Sequence, residues 1–165
     1  MTVRIKGRFD VICYEFQDGP VRWKATAHNL VTNVGVDDEL DVHFHAAAQH
    51  ATWYIGLIRD DNWSAIAAAD TMASHAGWEE ANEYAGDRKE WTEGAASGQS
   101  ITNAVSVDFT MNDTEVIKGA FLNTAATGTA GVLYDAAVFD EGDQACVSGN
   151  VLAVTLTLSL ADDGV

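Results

Sequence analysis

The sequence predicts a mainly β domain, an antiparallel β-sandwich or jelly-roll-like fold with one or two short helices. Three observations predict it. Apolar and polar residues alternate with period two over Val3–Val11, Val105–Phe109 and Leu152–Leu160. Turn-forming clusters recur at Asp18-Gly19-Pro20, Asp60-Asp61-Asn62, Met111–Thr114 and Asp140–Asp143, the rhythm of short strands joined by turns. Helical spacing of apolar residues is confined to one substantial segment, Val36–Phe44. At 165 residues, with one proline and no linker-like tract, residues 1–165 read as a single domain large enough to bury a core.

In order, the chain opens with Val3, Ile5, Gly7, Phe9 and Val11 alternating against Arg4, Lys6, Arg8 and Asp10, a strand with one polar face. Beyond the turn at Asp18–Pro20, Val21, Trp23 and Ala25 alternate with Arg22, Lys24 and Thr26. Residues 1–27 therefore read as a hairpin with a basic face. Asn29–Gly35 allows a helical turn. Asp37, Asp38 and Glu39 then supply three acids for a first helical turn, where they complement the helix dipole. Val36, Leu40 and Phe44 recur at i, i+4 and i+8, which predicts a helix face turned to the core.

Residues 52–91 hold four of the five tryptophans, Trp53, Trp63, Trp78 and Trp91. Aromatic side chains bury the most area, so this stretch is expected to anchor the core, with Trp53 and Trp78 as its anchors. Trp53–Ile58 reads as a strand closed by Arg59-Asp60-Asp61-Asn62. Asp70 is predicted to cap one helical turn, Thr71–His75, ended by Gly77, before an aromatic strand returns. Gly94–Ser100 is a small, flexible loop. Val105–Thr110 and Val116–Leu122, joined by Met111–Thr114, read as a second hairpin. The Thr124–Gly131 loop leads to a strand at Val132–Phe139 and an acidic loop at Asp140–Asp143. The last strand faces Leu152, Val154, Leu156, Leu158 and Leu160 one way, with Leu156 and Leu158 expected in the core.

Charge limits the partners. Nine Lys+Arg against 25 Asp+Glu give a net charge of −16, which disfavours phosphate backbones and anionic membranes. Five of the nine cations, Arg4, Lys6, Arg8, Arg22 and Lys24, lie in the first 24 residues. They read as the solvated faces of two strands, or as an attachment patch for an acidic partner or a neighbouring copy. Cys13 and Cys146 match no metal or redox spacing and read as small buried side chains, with a disulfide as the alternative. The first residues lack the apolar core of a secretory signal, and no apolar run is long enough to span a bilayer.

Chemistry-bearing patterns are sparse. His43 and His45, with His50 nearby, could suggest a metal site, because His-x-His on a strand presents both imidazoles on one face, but on a helix residues two apart diverge, and no Cys or Glu completes a tetrahedral set. Asp37, Asp38, Glu39 and Asp41 lack the alternating ligands and glycine of a calcium loop, and Asp140–Asp143 reads as a solvated acidic turn. No carboxylate pair stands out for glycoside hydrolysis, no serine or cysteine sits in a nucleophile context, and no phosphate-binding glycine loop follows a strand. Neither a metal, a cofactor nor a catalytic residue is expected.

Several segments carry a resemblance. Asn29–Gly35 with the acidic helix, Trp53–Ile58, Ala68–Trp78, Gly94–Ser100, Ile117–Leu122 with Gly128–Leu133, and Gly149–Thr157 together resemble a group of small tailed-bacteriophage virion proteins. The resemblance runs from about residue 29 to near the end of the chain, and the acid excess departs from that group's typical members. It implies a non-enzymatic structural protein of the virion, made in the host cytoplasm. A capsid decoration or cement protein is the form expected: a homo-oligomer that binds the major capsid protein or other virion proteins and no nucleic acid or membrane. Many identical weak contacts, multiplied by shell symmetry, would do that work. The expected contact surfaces are the basic hairpin and the loops 94–100 and 124–131. A neck, tail or fibre-base component is the alternative. A carbohydrate-binding host-recognition module is a third reading, and it requires Trp63 or Trp91 as an open stacking platform.

Overall fold

The computed structural model describes residues 3–162. Along them run β1 (Val3–Tyr14), β2 (Val21–His28), β3 (Leu30–Val31), α1 (Asn33–Phe44), β4 (Trp53–Arg59), β5 (Glu79–Glu80) and β6 (Lys89–Trp91). Then follow β7 (Ser100–Thr102), β8 (Val107–Thr110), β9 (Glu115–Asn123), β10 (Leu133–Val138), β11 (Gln144–Cys146) and β12 (Val151–Asp162). The protein is mainly β, with two antiparallel sheets in a sandwich. No described helix is long and apolar enough to cross a membrane.

The first sheet has five strands in the order β2-β1-β12-β7, with β8 beside β12 as well. β8 pairs with Val151–Val154 and β7 with Thr157–Ser159, so β12 spans the sheet and takes a partner at each half of one edge. The predicted N-terminal hairpin is present, with Phe9 opposite Ala27 and Tyr14 opposite Val21. The second sheet has seven strands, ordered β3-β10-β9-β4-β5, with β11 on β9 and β6 on β4.

Between the sheets lies the main core. Phe9, Val11 and Cys13 of β1 and Leu152, Val154 and Leu156 of β12 meet Ile55, Leu57, Ile117 and Leu122 of the second sheet. Leu158 and Trp53 are half-buried and pack on its margin. A second core covers the other face of the second sheet. Ile58, Phe121, Leu133 and Ala136 point outward there and are covered by Met72 and Trp78, with Trp63 and Ile66 at the edge. The second sheet is thus buried on both faces, which is why Ile55–Ile58 and Gly119–Asn123 are continuously buried instead of alternating. The tryptophan-rich stretch anchors this second layer through Trp78, while Trp53 and Trp91 belong to the first.

Four expectations are corrected. The segment Thr71–His75 is not a helical turn capped by Asp70. Asp70 is buried and accepts hydrogen bonds from the Ala67 amide (2.9 Å) and the Trp78 indole N–H (3.0 Å), pinning a non-helical loop over the sheet. The second hairpin does not exist. β8 pairs with β12 in one sheet and β9 with β4 and β10 in the other, so residues 111–114 carry the chain between layers.

The other two corrections concern α1. Thr32, not an acid, starts it: its buried hydroxyl accepts the Gly35 N–H (3.1 Å) and donates to the Leu133 carbonyl (2.5 Å). No acid lies in the first turn. The face of α1 turned to the body carries Gly35, not the apolar stripe. A Cβ at Gly35 would lie 2.4 Å from the Tyr134 carbonyl, so the absent side chain is what lets the helix sit against β10. Asp38, Glu39 and Val42 follow Gly35 inward. Val36, Leu40 and Phe44 are left outside at 40%, 51% and 85% exposure.

Candidate functional site

The five N-terminal cations are all exposed; Arg4, Lys6, Arg8 and Lys24 lie on the outer side of the first sheet, and Arg22 sits at the bulge opposite Cys13 and Tyr14. Arg4, Lys6 and Arg8 alternate with the inward-facing Ile5, Gly7 and Phe9, and Lys24 lies opposite Ile12 across the hairpin. They form a stripe instead of a cluster. From Arg4 to the level of Lys24 is eight residues of β1, roughly 26 Å at a strand's rise. Asp10 interrupts the stripe and takes the Arg8 guanidinium at 2.6 Å. Alongside, β12 contributes Thr157 opposite Arg8 and Ser159 opposite Lys6. This half of the face is edged with positive charge and carries short hydroxyl side chains.

Of the two loops expected as contact surfaces, 94–100 is mostly exposed. Loop 124–131 is held from beneath by the buried Arg88. Its guanidinium makes two 2.7 Å bonds to Glu80 and donates to the carbonyls of Ala125 (2.9 Å) and Gly128 (2.7 Å).

Sequence reasoning missed a cavity of about 420 Å³. It opens at one end of the sandwich, where β4, β10 and β7 begin, β6 and β9 end, and α1 crosses. Trp53, Trp91, Leu122, Tyr134, Ile101 and Leu158 line its apolar part. The rings of Trp53 and Tyr134 meet edge to face at 5.4 Å, and those of His50 and Trp53 at 5.2 Å. Carboxylates of Asp38, Glu39 and Glu93 stand among its polar lining, which contains no lysine or arginine. His50 Nε2 contacts Asp38 at 2.7 Å, and the Tyr134 hydroxyl donates to Glu39 at 3.5 Å. Burial, reinforced by Glu39, holds the Tyr134 phenol well above its ordinary range. The lining comes from eight separate elements and the loops between them, so no local pattern could have disclosed it.

The remaining titratable groups have other partners. Asp61, Glu79, Glu83 and Glu115 surround Arg59 at 3.7, 2.5, 3.3 and 3.9 Å, outside the cavity. Burial and the neighbouring Glu83 push Glu115 above the usual carboxylate range, and the Arg59 guanidinium holds Glu79 below it. The three helix-region histidines diverge, His43 facing Glu39, His45 facing Asp41 and His50 facing Asp38. Among the described residues no group of three or more His, Cys, Asp or Glu side chains is arranged to hold a metal. In the acidic loop, Asp140 bonds His28 (2.8 Å), Glu141 accepts the Thr26 amide (2.8 Å) and Asp143 pairs with Lys118.

Cys13 and Cys146 are free, buried neighbours in the main core; Cys13 and burial together hold the Cys146 thiol far above its ordinary value. Asp135 is fully buried, with Oδ2 accepting from Asn29 (2.6 Å) and Oδ1 without a hydrogen bond of ordinary geometry. Asn29 also accepts the Gly7 amide (2.6 Å), so this polar bridge ties β1 to β10 across the sandwich. Trp91 is buried and donates to Asn103 (2.6 Å), while Trp63 is half-buried with the Lys118 ammonium 5.0 Å from its ring centre. Neither indole is an open stacking platform.

No family model matches the chain, and no curated protein shows significant similarity to it.

Proposed function

We propose that this protein is a non-enzymatic structural component of a tailed-bacteriophage particle, a decoration or cement protein that docks on the outer capsid lattice. The observation that carries the reading is the exposed basic stripe of Arg4, Lys6, Arg8 and Lys24 on one sheet face, with the exposed Arg22 at the hairpin's bulge, on an otherwise acidic body. A charge distribution so lopsided orients the molecule: an acidic partner surface attracts the stripe and repels the remainder. The neighbouring strand β12 sets the short hydroxyl side chains of Thr157 and Ser159 beside the stripe. The segment resemblance to small virion proteins supports the same reading. Each contact is weak alone and gains strength from repetition over a shell and from association of copies with one another.

The experiment is the stoichiometry of this chain relative to the major capsid protein in purified particles. A decoration protein is present at lattice copy number. A copy number matching one ring would assign it to the neck or tail, and absence from particles overturns the reading. A second arm reverses Arg4, Lys6 and Arg8 to Glu. That variant is expected to fold and to lose its place on the particle, whereas attachment through the loops 94–100 and 124–131 would survive the change.

A further inference from the structure

We propose that the cavity beneath α1 is a binding site for a small organic cation, a ligand with a substituted ammonium head and an apolar body. This is independent of the docking face, which lies on the outer side of the first sheet. The cavity volume, about 420 Å³, falls within the range of small-molecule sites, and its composition of apolar walls with a few convergent polar groups is the usual one for such sites.

The ligand's charge follows from which groups converge. Half-buried Trp53 provides the aromatic wall, with the buried rings of Trp91 and Tyr134 behind it, and aromatic faces carry negative potential that attracts cations, most strongly for indole. Asp38, Glu39 and Glu93 add carboxylates; His50 takes Asp38 and His43 stands 3.5 Å from Glu39, no lysine or arginine among the described residues joins the lining, and Glu93 has no cation beside it there. An anionic ligand would meet three carboxylates and no lysine or arginine. A neutral apolar ligand would fill the walls but strip water from Glu93 and from the outer oxygens of Asp38 and Glu39 without supplying a charge to them. A cation with an apolar body satisfies both parts of the lining.

The groups are also held in place. Trp53 is wedged edge to face between His50 and Tyr134, the Trp91 indole N–H is fixed on Asn103, and Glu39 is within reach of the Tyr134 hydroxyl. Held side chains lose little freedom on binding, which favours affinity.

The test titrates the full chain with benzyltrimethylammonium in 0.15 M NaCl, read by tryptophan fluorescence, beside its carbon isostere neopentylbenzene and the anion phenylacetate. Saturable one-to-one binding of the cation is expected, about tenfold or more tighter than the isostere, with no binding of the anion. Glu39→Gln and Trp53→Ala are each expected to weaken the cation about tenfold, the size of one cation contact. Asp108→Asn, which removes the same charge from the exposed face of β8, leaves it unchanged. Thermal melts identify folded variants, and Glu39→Gln alone decides the matter should Trp53→Ala fail to fold. Equal affinity for the isostere, an equal loss in Asp108→Asn, or no saturable binding to the folded wild-type chain overturns the proposal.

Discussion

Asp135 shows how a single residue sets a property of the whole fold. Burial pushes its carboxyl from 3.8 up to about 7, against the lowering influence of the Asn29 amide and the Leu122 backbone. The native state therefore binds this proton more tightly than the unfolded chain does. The associated stability is complete below pH 3.8 and is lost as pH rises through about 7. At roughly 1.4 kcal/mol per pH unit, the buried anion costs on the order of 4 kcal/mol above that range. Asp135→Asn removes this charge and keeps an acceptor for Asn29, at the expense of two amide N–H groups without a partner. It is expected to stabilise the protein at pH 8, by about 1–2 kcal/mol once the two unpartnered N–H groups are set against the relieved charge, and to flatten the slope between pH 4 and 7 by one proton. Urea unfolding of both forms at pH 5 and pH 8 measures this, and an unchanged pH slope would show that Asp135 is ionised in the fold throughout. An Asp within the apolar run Val132–Phe139 was visible in the sequence, but its burial was not, because the bridge through Asn29 to Gly7 joins residues more than a hundred positions apart.

At the scale of elements, α1 and the strand pairings separate what local pattern encodes from what it does not. The longer strands were legible from their alternation or their apolar runs, which is why the N-terminal hairpin, β4, β10 and the long β12 match expectation, while β3, β5, β7 and β11, of two or three residues each, carry no pattern of their own. Pairing was legible only where a tight turn returns the strand on itself. β8 and β9 both have strand character and a turn between them, yet they enter different sheets, a choice made by contacts distant in sequence. The helix failed in a different way. Val36, Leu40 and Phe44 have core-facing spacing, but the surface that fits β10 is the one without a side chain, at Gly35. Helix propensity favours alanine over glycine by about 1 kcal/mol. Here Gly35→Ala is expected to destabilise by about 1–3 kcal/mol, because its methyl group must displace the helix from the Tyr134 carbonyl. Phe44→Ser, at an exposed position, should change stability by about 0.5 kcal/mol or less. Chemical denaturation of the two variants compares them directly, and a stabilising Gly35→Ala would mean that the helix does not rest on β10.

Across the whole molecule, charge is the property that acts at long range, and it was fully legible in the sequence while its arrangement was not. The net charge is −16. Arg59, Arg88 and Lys118 are held against acids in and beside the second sheet, and the five exposed N-terminal cations lie on the hairpin of the first. The unpaired acids elsewhere repel one another, and compaction brings them closer than in the unfolded chain. Salt shortens the reach of that repulsion, from about 30 Å at 0.01 M to about 3 Å at 1 M, and screens buried pairs such as Arg88–Glu80 much less. The melting temperature is therefore expected to rise with added NaCl, by about 2–4 °C for each kcal/mol of repulsion relieved in a chain of this size. Reversing Arg4, Lys6 and Arg8 to Glu removes two charges' worth of balance at each position and takes the net charge from −16 to −22. The same salt series on that variant should start from a lower melting temperature at low salt and rise more steeply, converging with the wild type near 1 M. Scanning calorimetry across the series reads both curves. A melting temperature that falls with salt in the wild type would mean that the paired charges outweigh the repulsion and that the acid surplus is not what limits the stability of this fold.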